Sequence, residues 1–171
     1  MSAALEVPTF DAIYAAHLRY VLNTLRRLGI PLRDIEDVAH DVFVVVHQKL
    51  PTCDLSRPIK PWLFGIAFRV ASQHRRKHMN RRESLDERDA RRPDATDPWK
   101  VHGTRQLVVK ALERLEWEPR AVLILADIDE ATAPEIADAL GMPVNRVYSR
   151  LRIARRDFKD AVDALRQEGE P

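Results

Sequence analysis

Apolar side chains recur every three or four residues through most of this chain, and no stretch alternates apolar and polar in the two-residue rhythm of a half-buried strand. The pattern predicts an all-α protein. Thr9 can cap a first helix that runs to Leu28 and stops at Gly29. A second helix is predicted over residues 32–50, ended by Pro51. Its apolar stripe is Ile35, Val38, Val42, Val45 and Val46, widened by Ala39, Phe43 and Leu50. Residues 52–60 read as a loop, with a third helix starting near Lys60. From residue 79 to 100 the periodicity fails: charges of both signs mix with almost no large apolar side chains, too little to offset the entropy of ordering, so a flexible linker is expected there. Helices are predicted again over 101–115 and 119–127. The resulting organisation is two small helical domains, 1–78 and 101–171, joined by the linker.

The last forty residues hold the sharpest local signal. Thr132-Ala-Pro-Glu-Ile-Ala-Asp-Ala-Leu-Gly141 is followed by Met142-Pro-Val-Asn-Arg-Val-Tyr-Ser-Arg-Leu-Arg-Ile-Ala-Arg-Arg156. Thr132 and Glu135 have capping-box spacing, and Pro134 is harmless in a first helical turn, where amides have no helical acceptor. Gly141 can supply the positive φ that ends a helix, and Pro143 restarts one. On the second helix Val144, Val147, Leu151, Ala154 and Phe158 share a face. Asn145, Tyr148, Ser149, Arg152 and Arg156 lie opposite, with Arg146 and Arg150 at the edge. This is the pattern of a helix-turn-helix, whose second helix enters the DNA major groove. Asn and Arg suit bidentate contacts with adenine and guanine edges. The competing account is a solvated basic face on an ordinary core helix; the agreement of caps, glycine, apolar face and basic face favours DNA.

Charge changes the picture only through its placement. The 171 residues carry 28 Lys and Arg against 26 Asp and Glu, so the net charge is only +2. Yet residues 69–82 hold six basic groups and no acid, and 146–156 hold five, a clustering that matters more for nucleic-acid binding than the total. The acids gather elsewhere. Asp34, Glu36, Asp37, His40, Asp41, His47 and Gln48 form the polar arc of the second helix, with Val44 set inside it. Such an arc suits either a basic protein partner or plain solvent. A single cysteine, Cys53, excludes an intrachain disulfide, and no signal peptide or bilayer-length apolar run is visible, so a cytoplasmic protein is expected.

Taken together, the motifs resemble those of bacterial RNA polymerase sigma factors. Asp34-Ile-Glu-Asp-Val-Ala-His-Asp-Val-Phe-Val-Val-Val-His47 is similar to the second conserved region, and Lys60-Pro-Trp-Leu-Phe-Gly-Ile-Ala-Phe-Arg-Val-Ala71 to the promoter-melting segment after it. Leu112-Glu-Arg-Leu-Glu-Trp-Glu-Pro-Arg-Ala-Val-Leu-Ile-Leu125 and the helix-turn-helix resemble the fourth region. Two such regions on a short linker, with no third domain, resemble the extracytoplasmic-function (ECF) subfamily across residues 10–165. The resemblance implies a protein that recruits core RNA polymerase to particular promoters and starts DNA opening. It implies that Asp37, His40, Asp41, Val44 and Gln48 grip the clamp coiled coil of the polymerase. Arg57, Lys60, Trp62, Arg69 and Gln73 would hold the melted −10 strand, with loop 52–60 capturing a flipped base. Asn145, Arg146, Tyr148, Ser149, Arg150, Arg152 and Arg156 would read duplex DNA at −35. An anti-sigma factor is the regulator the family implies; no cofactor and no small-molecule substrate are expected.

Some positions depart from the family pattern. His40 stands where glutamine is common, His47 where tryptophan is, Arg69 where asparagine is, Pro143 where a serine or threonine cap is, and Ile153 where arginine is. Other functional classes explain less. A stand-alone helix-turn-helix regulator accounts for the second domain and leaves the first without a role. An enzyme would need a constellation that is missing: there is no phosphate-binding glycine loop and no nucleophile with its base. His74 and His78 have metal-ligand spacing, but Arg75, Arg76 and Lys77 lie between them, so no metal is expected. Trp62 fits a core position as well as a DNA contact, and Cys53, with no adjacent basic residue, fits an unreactive thiol better than a redox sensor.

Overall fold

The structure, a computed structural model, describes residues 8–84 and 103–168. Seven α-helices and three short turns of tighter or wider helix make up these residues, with no strand among them. The helix α1 spans Phe10–Leu28. The Thr9 hydroxyl accepts from the amide of Ala12 at 3.3 Å, and Gly29, at φ +89°, returns its own N–H to the carbonyls of Leu25 and Arg26. A 3₁₀ turn, Leu32–Asp34, leads into α2 (Ile35–Lys49), and a second one, Leu50–Thr52, closes it. The predicted second helix is therefore an α-helix with a tighter turn at each end. Ile35, Val38, Ala39, Val42, Phe43 and Val46 are buried, while Val45 and Leu50 are only half-buried.

Helix α3 spans Ile59–Ser84. Leu63, Phe64, Ile66 and Ala67 are all fully buried, on more than one side of the helix. This first half packs on α1, α2 and a helix of the second half, so it carries no clean amphipathic stripe. Over residues 73–81 the side chains are mainly polar and exposed, with His74 and His78 half-buried. Because α3 continues to Ser84, residues 79–84, assigned above to the linker, are helical; the rest of the expected linker lies outside the described residues. Charged side chains without apolar partners can extend a helix already nucleated by its buried half.

The second half holds α4 (Thr104–Glu113), α5 (Trp117–Leu123), a π turn Ile124–Ile128, α6 (Ala133–Leu140) and α7 (Val144–Glu168). The predicted caps of α6 are present: the Thr132 amide donates to Glu135 Oε2 at 2.7 Å, the Glu135 amide donates to Thr132 Oγ1 at 3.4 Å, and Gly141 sits at φ +64°. Val147 and Ala154 anchor α7 in the core, Leu151 and Phe158 are half-buried, and Val144, expected on the same face, is exposed in the first turn.

The two halves share one continuous hydrophobic core. α3 lies against α6, and α1 against α4 and α5. Gly65 makes the close approach possible: a Cβ there would collide with the Ala139 carbonyl oxygen. Among the described residues no helix is long and apolar enough to cross a membrane.

Candidate nucleic-acid interface

The polar arc of α2 faces away from α1 and α3. Asp37, His40, Asp41 and Gln48 are exposed, and Val44 keeps 42% of its surface in contact with solvent. The five predicted polymerase-binding residues thus form one acidic strip with an apolar centre. Along the same helix His47 turns its ring edge-to-face onto Phe10, 5.0 Å between centroids, extending a cluster that includes Tyr14 and Phe43.

The −10 candidates divide. Arg57, Trp62 and Arg69 come together on a cleft of about 370 Å³, whose opposite wall is Pro134, Glu135, Asp138 and Ala139 of α6. Arg57 donates to Asp138 Oδ2 at 2.9 Å, and Arg69 to the Ala139 carbonyl at 3.3 Å. Burial of the Arg69 guanidinium pushes its pKa below the usual arginine range. Trp62 is half-buried and packs on the shared core as well as lining the cleft. Lys60 and Gln73 are not among the cleft's lining residues. Lys60 extends over the Tyr20 ring, 5.6 Å from its centroid, and Gln73 is exposed further along α3.

The loop before α3 is held in shape by Asp54, whose Oδ1 accepts from the Ser56 amide at 3.1 Å and the Ser56 hydroxyl at 2.6 Å. Those bonds keep the Asp54 carboxyl below its ordinary pKa, helped by Arg57. Cys53 is half-buried, and burial followed by the nearby Asp54 charge pushes its thiol pKa up. That is the opposite of what a reactive thiolate requires.

On α7, Asn145, Tyr148, Ser149 and Arg152 face solvent, with Tyr148 61% exposed. Asn145 Oδ1 accepts from the Arg146 amide at 2.8 Å, and the other three predicted −35 residues are in ion pairs. Arg146 and Arg150 both reach Glu118 Oε2, at 3.0 and 3.3 Å, and Arg156 pairs with Asp157 at 2.8 Å. Glu118 thus holds two of the seven candidate side chains beside the turn of the motif. Arg155 pairs with both oxygens of Asp127, at 2.7 and 3.0 Å, fixing α7 against the π turn.

Residues 13–81 match the family described as Sigma-70 region 2, and residues 105–158 match the one described as Sigma-70, region 4. The chain belongs to the sigma-70 family, in its ECF branch. Its relatives include the RNA polymerase sigma factor CnrH of Cupriavidus metallidurans, 29% identical over 91% of this chain and 87% of that one. The ECF RNA polymerase sigma factor SigL of Mycobacterium tuberculosis is 28% identical over 96% of this chain and 94% of its own length. Among solved structures, CnrH in complex with the cytosolic domain of CnrY superposes with a TM-score of 0.63 at 26% identity, covering 91% of this chain and 88% of that chain. Bartonella quintana RpoE in complex with the anti-sigma factor NepR gives 0.72 at 19% identity, covering 90% and 96%, which is a likeness of fold.

Region 2 and region 4 are joined here by side chains that periodicity did not single out. Tyr20 of α1 donates to Asp129 Oδ2 at 2.6 Å, and burial is the main cause that raises the pKa of both groups. Trp117 stacks on Phe68, 5.4 Å between centroids, donates its indole N–H to the Ser72 hydroxyl at 2.9 Å, and carries the Arg75 guanidinium 4.2 Å above its ring. Each of these pairs joins residues more than forty positions apart, so no local pattern announces them. A third donor was missed in the same way: Asp34, forty residues before His74, brings its carboxylate to the two histidines of α3.

Proposed function

We propose that this protein is an ECF-type sigma factor that binds core RNA polymerase through α2, opens promoter DNA with the start of α3, and reads the −35 element with α7. The observation that carries the reading is a region 2 match followed by a region 4 match in one chain. A stand-alone helix-turn-helix regulator leaves region 2 without a role. On α2 the strip of Asp37, His40, Asp41, Val44 and Gln48 offers a basic coiled coil both opposite charge and an apolar anchor. At −35, Arg152 presents an unoccupied guanidinium edge and Asn145 its side-chain NH2 for bases, the Asn145 Oδ1 being taken by the Arg146 amide, while Arg146, Arg150 and Arg156 contact phosphates after exchanging their carboxylate partners.

At −10, Arg57 and Arg69 supply phosphate contacts and the cleft beside Trp62 supplies a site for an extruded base, offsetting an unstacking cost of a few kcal/mol. In the arrangement described here α6 occupies the other side of that cleft. Region 4 therefore has to leave region 2 before single-stranded DNA enters, and closure holds the free protein off promoters. The similarity to CnrH and RpoE, each solved with a partner, supports control by an anti-sigma factor that stabilises a packed form.

The test is transcription in vitro with bacterial core polymerase on pooled genomic DNA. Discrete start sites that share −10 and −35 sequences are expected only when the protein is added. An Asp41→Arg/Val44→Glu double variant should fold yet fail to co-purify with core enzyme. Absence of initiation alongside specific duplex binding by the protein alone would overturn the reading.

A further inference from the structure

A cluster on α3, beginning one residue after Gln73, has a chemistry of its own. His74 and His78 lie one turn apart on α3, with ring centroids 4.4 Å from each other. Both turn Nε2 towards the same oxygen, Asp34 Oδ2, at 3.3 Å for His74 and 3.7 Å for His78. The three donor atoms all lie within 4.8 Å of one another. Asp34 reaches them from the 3₁₀ turn before α2, so the donors come from two separate elements.

These separations are ones that an ion can bridge. A good N–H···O bond spans about 2.7–3.2 Å; the His74 contact is a long hydrogen bond and the His78 contact lies beyond that range. An ion with tetrahedral bonds of about 2.0–2.1 Å to nitrogen and oxygen places its ligands roughly 3.3 Å apart along each edge. The Asp34–His74 pair already has that spacing and the Asp34–His78 pair is a few tenths of an ångström wider. Two imidazoles and one carboxylate form a donor set for a borderline divalent transition ion such as zinc, whereas magnesium and calcium prefer oxygen ligands alone.

Basic side chains stay near the donors, since Arg33 and Arg75 line the same cleft, but two of them have partners of their own. Arg75 lies on the Trp117 ring, and Arg33 sits 3.8 Å from Asp34 Oδ1, the oxygen that the histidines do not face. Arg33 so placed leaves Oδ2 to the imidazoles. The donors are neither sealed nor fully wet: the side chains of Asp34, His74 and His78 are 21%, 22% and 41% exposed. The histidines also line an open cleft bounded by Gly29, Pro31 and Met79, through which an ion can enter and water can complete its shell.

We propose that Asp34, His74 and His78 form a three-ligand site for a zinc-like divalent ion, with its remaining position open to water. The ion ties the α1–α2 turn to the middle of α3 and stabilises the N-terminal half.

Untagged full-length protein titrated with Co²⁺, followed by visible ligand-field absorption, tests this directly. One equivalent should bind with an intense tetrahedral-type band that Zn²⁺ displaces, and Zn²⁺ should raise the Tm. Asp34→Asn, His74→Ala and His78→Ala should each weaken binding by at least about tenfold. Asp34→Asn keeps the shape of the turn, so it separates loss of a ligand from loss of the fold, which circular dichroism monitors. A His40→Ala/His47→Ala variant should bind like the parent. Absence of the band in the parent protein, or binding of undiminished strength in Asp34→Asn or in the His74→Ala/His78→Ala double variant, would overturn the site.

Discussion

The Arg120 guanidinium reaches three carbonyl oxygens, those of Leu28 at 2.8 Å, Glu113 at 2.7 Å and Leu115 at 2.8 Å. Two of them lie at the C-terminal ends of α1 and α4, where helix carbonyls lack intrahelical donors and favour a cation. Burial is the first cause lowering its pKa, with the neighbouring Arg75 second. A lysine has one ammonium and no planar fork, so it cannot span these three oxygens at once. Arg120→Lys should lower the stability of the full chain by about 2–3 kcal/mol in urea unfolding, the scale of losing one or two hydrogen bonds to a charged group. A change within error would mean that solvent already satisfies those carbonyls. Nothing in the local pattern around Arg120 predicts this role, because Leu28 is ninety-two positions away.

At the scale of elements, the proposed closure rests on the contact between α3 and α6. Gly65 is expensive within a helix, by about 0.5–1 kcal/mol relative to alanine. Its place in α3 follows from the backbone of α6, since a methyl group at this position would collide with the Ala139 carbonyl. Gly65→Ala should therefore strengthen α3 locally and separate α6 from it. Fluorescence energy transfer between labels on α3 and α6 should fall, and binding of single-stranded −10 DNA in the absence of polymerase should tighten. Unchanged transfer efficiency together with unchanged DNA binding would refute closure as the barrier. Most other helix positions were legible in the sequence, though not the π turn Ile124–Ile128 inside the helix expected over 119–127. Thr9, Gly29, Thr132, Glu135 and Gly141 mark helix ends through local hydrogen bonds and backbone angles. The extent of α3 was not: its buried half lacks a stripe because it is covered on several sides, and its polar end continues as helix past the predicted boundary.

For the molecule as a whole, closure carries a pH dependence through Asp129. Burial raises its pKa above the ordinary 3.8, outweighing the lowering by the Tyr20 hydrogen bond and by Arg27 and Lys60. A carboxyl whose pKa is raised in the packed state binds its proton more tightly there than when exposed. Its contribution to packing is fully present below 3.8 and is lost as pH rises through the raised value. The two halves should accordingly separate more readily at neutral pH than in mild acid, as read by small-angle scattering. Asp129→Asn keeps an acceptor for Tyr20 and should flatten this dependence. A profile identical to the parent's would assign the effect to other groups.

The sequence by itself determined that the chain is helical, where most helices start, the caps, the helix-turn-helix and the family, because each rests on side chains within a few positions of one another or on motifs in a fixed order. It also placed the exposed strip of α2 and the basic face of α7, which follow from helical periodicity once the buried face is known. Only the tertiary structure decided which of those surfaces are open. Arg57 and Arg69 are held by α6, Trp62 divides its surface between core and cleft, and Asp34 meets His74 and His78 across forty residues. Each of these depends on how distant helices pack. That arrangement is set by the sum of many weak apolar contacts and by a few close approaches such as Gly65 against Ala139, neither of which leaves a periodic trace in the chain.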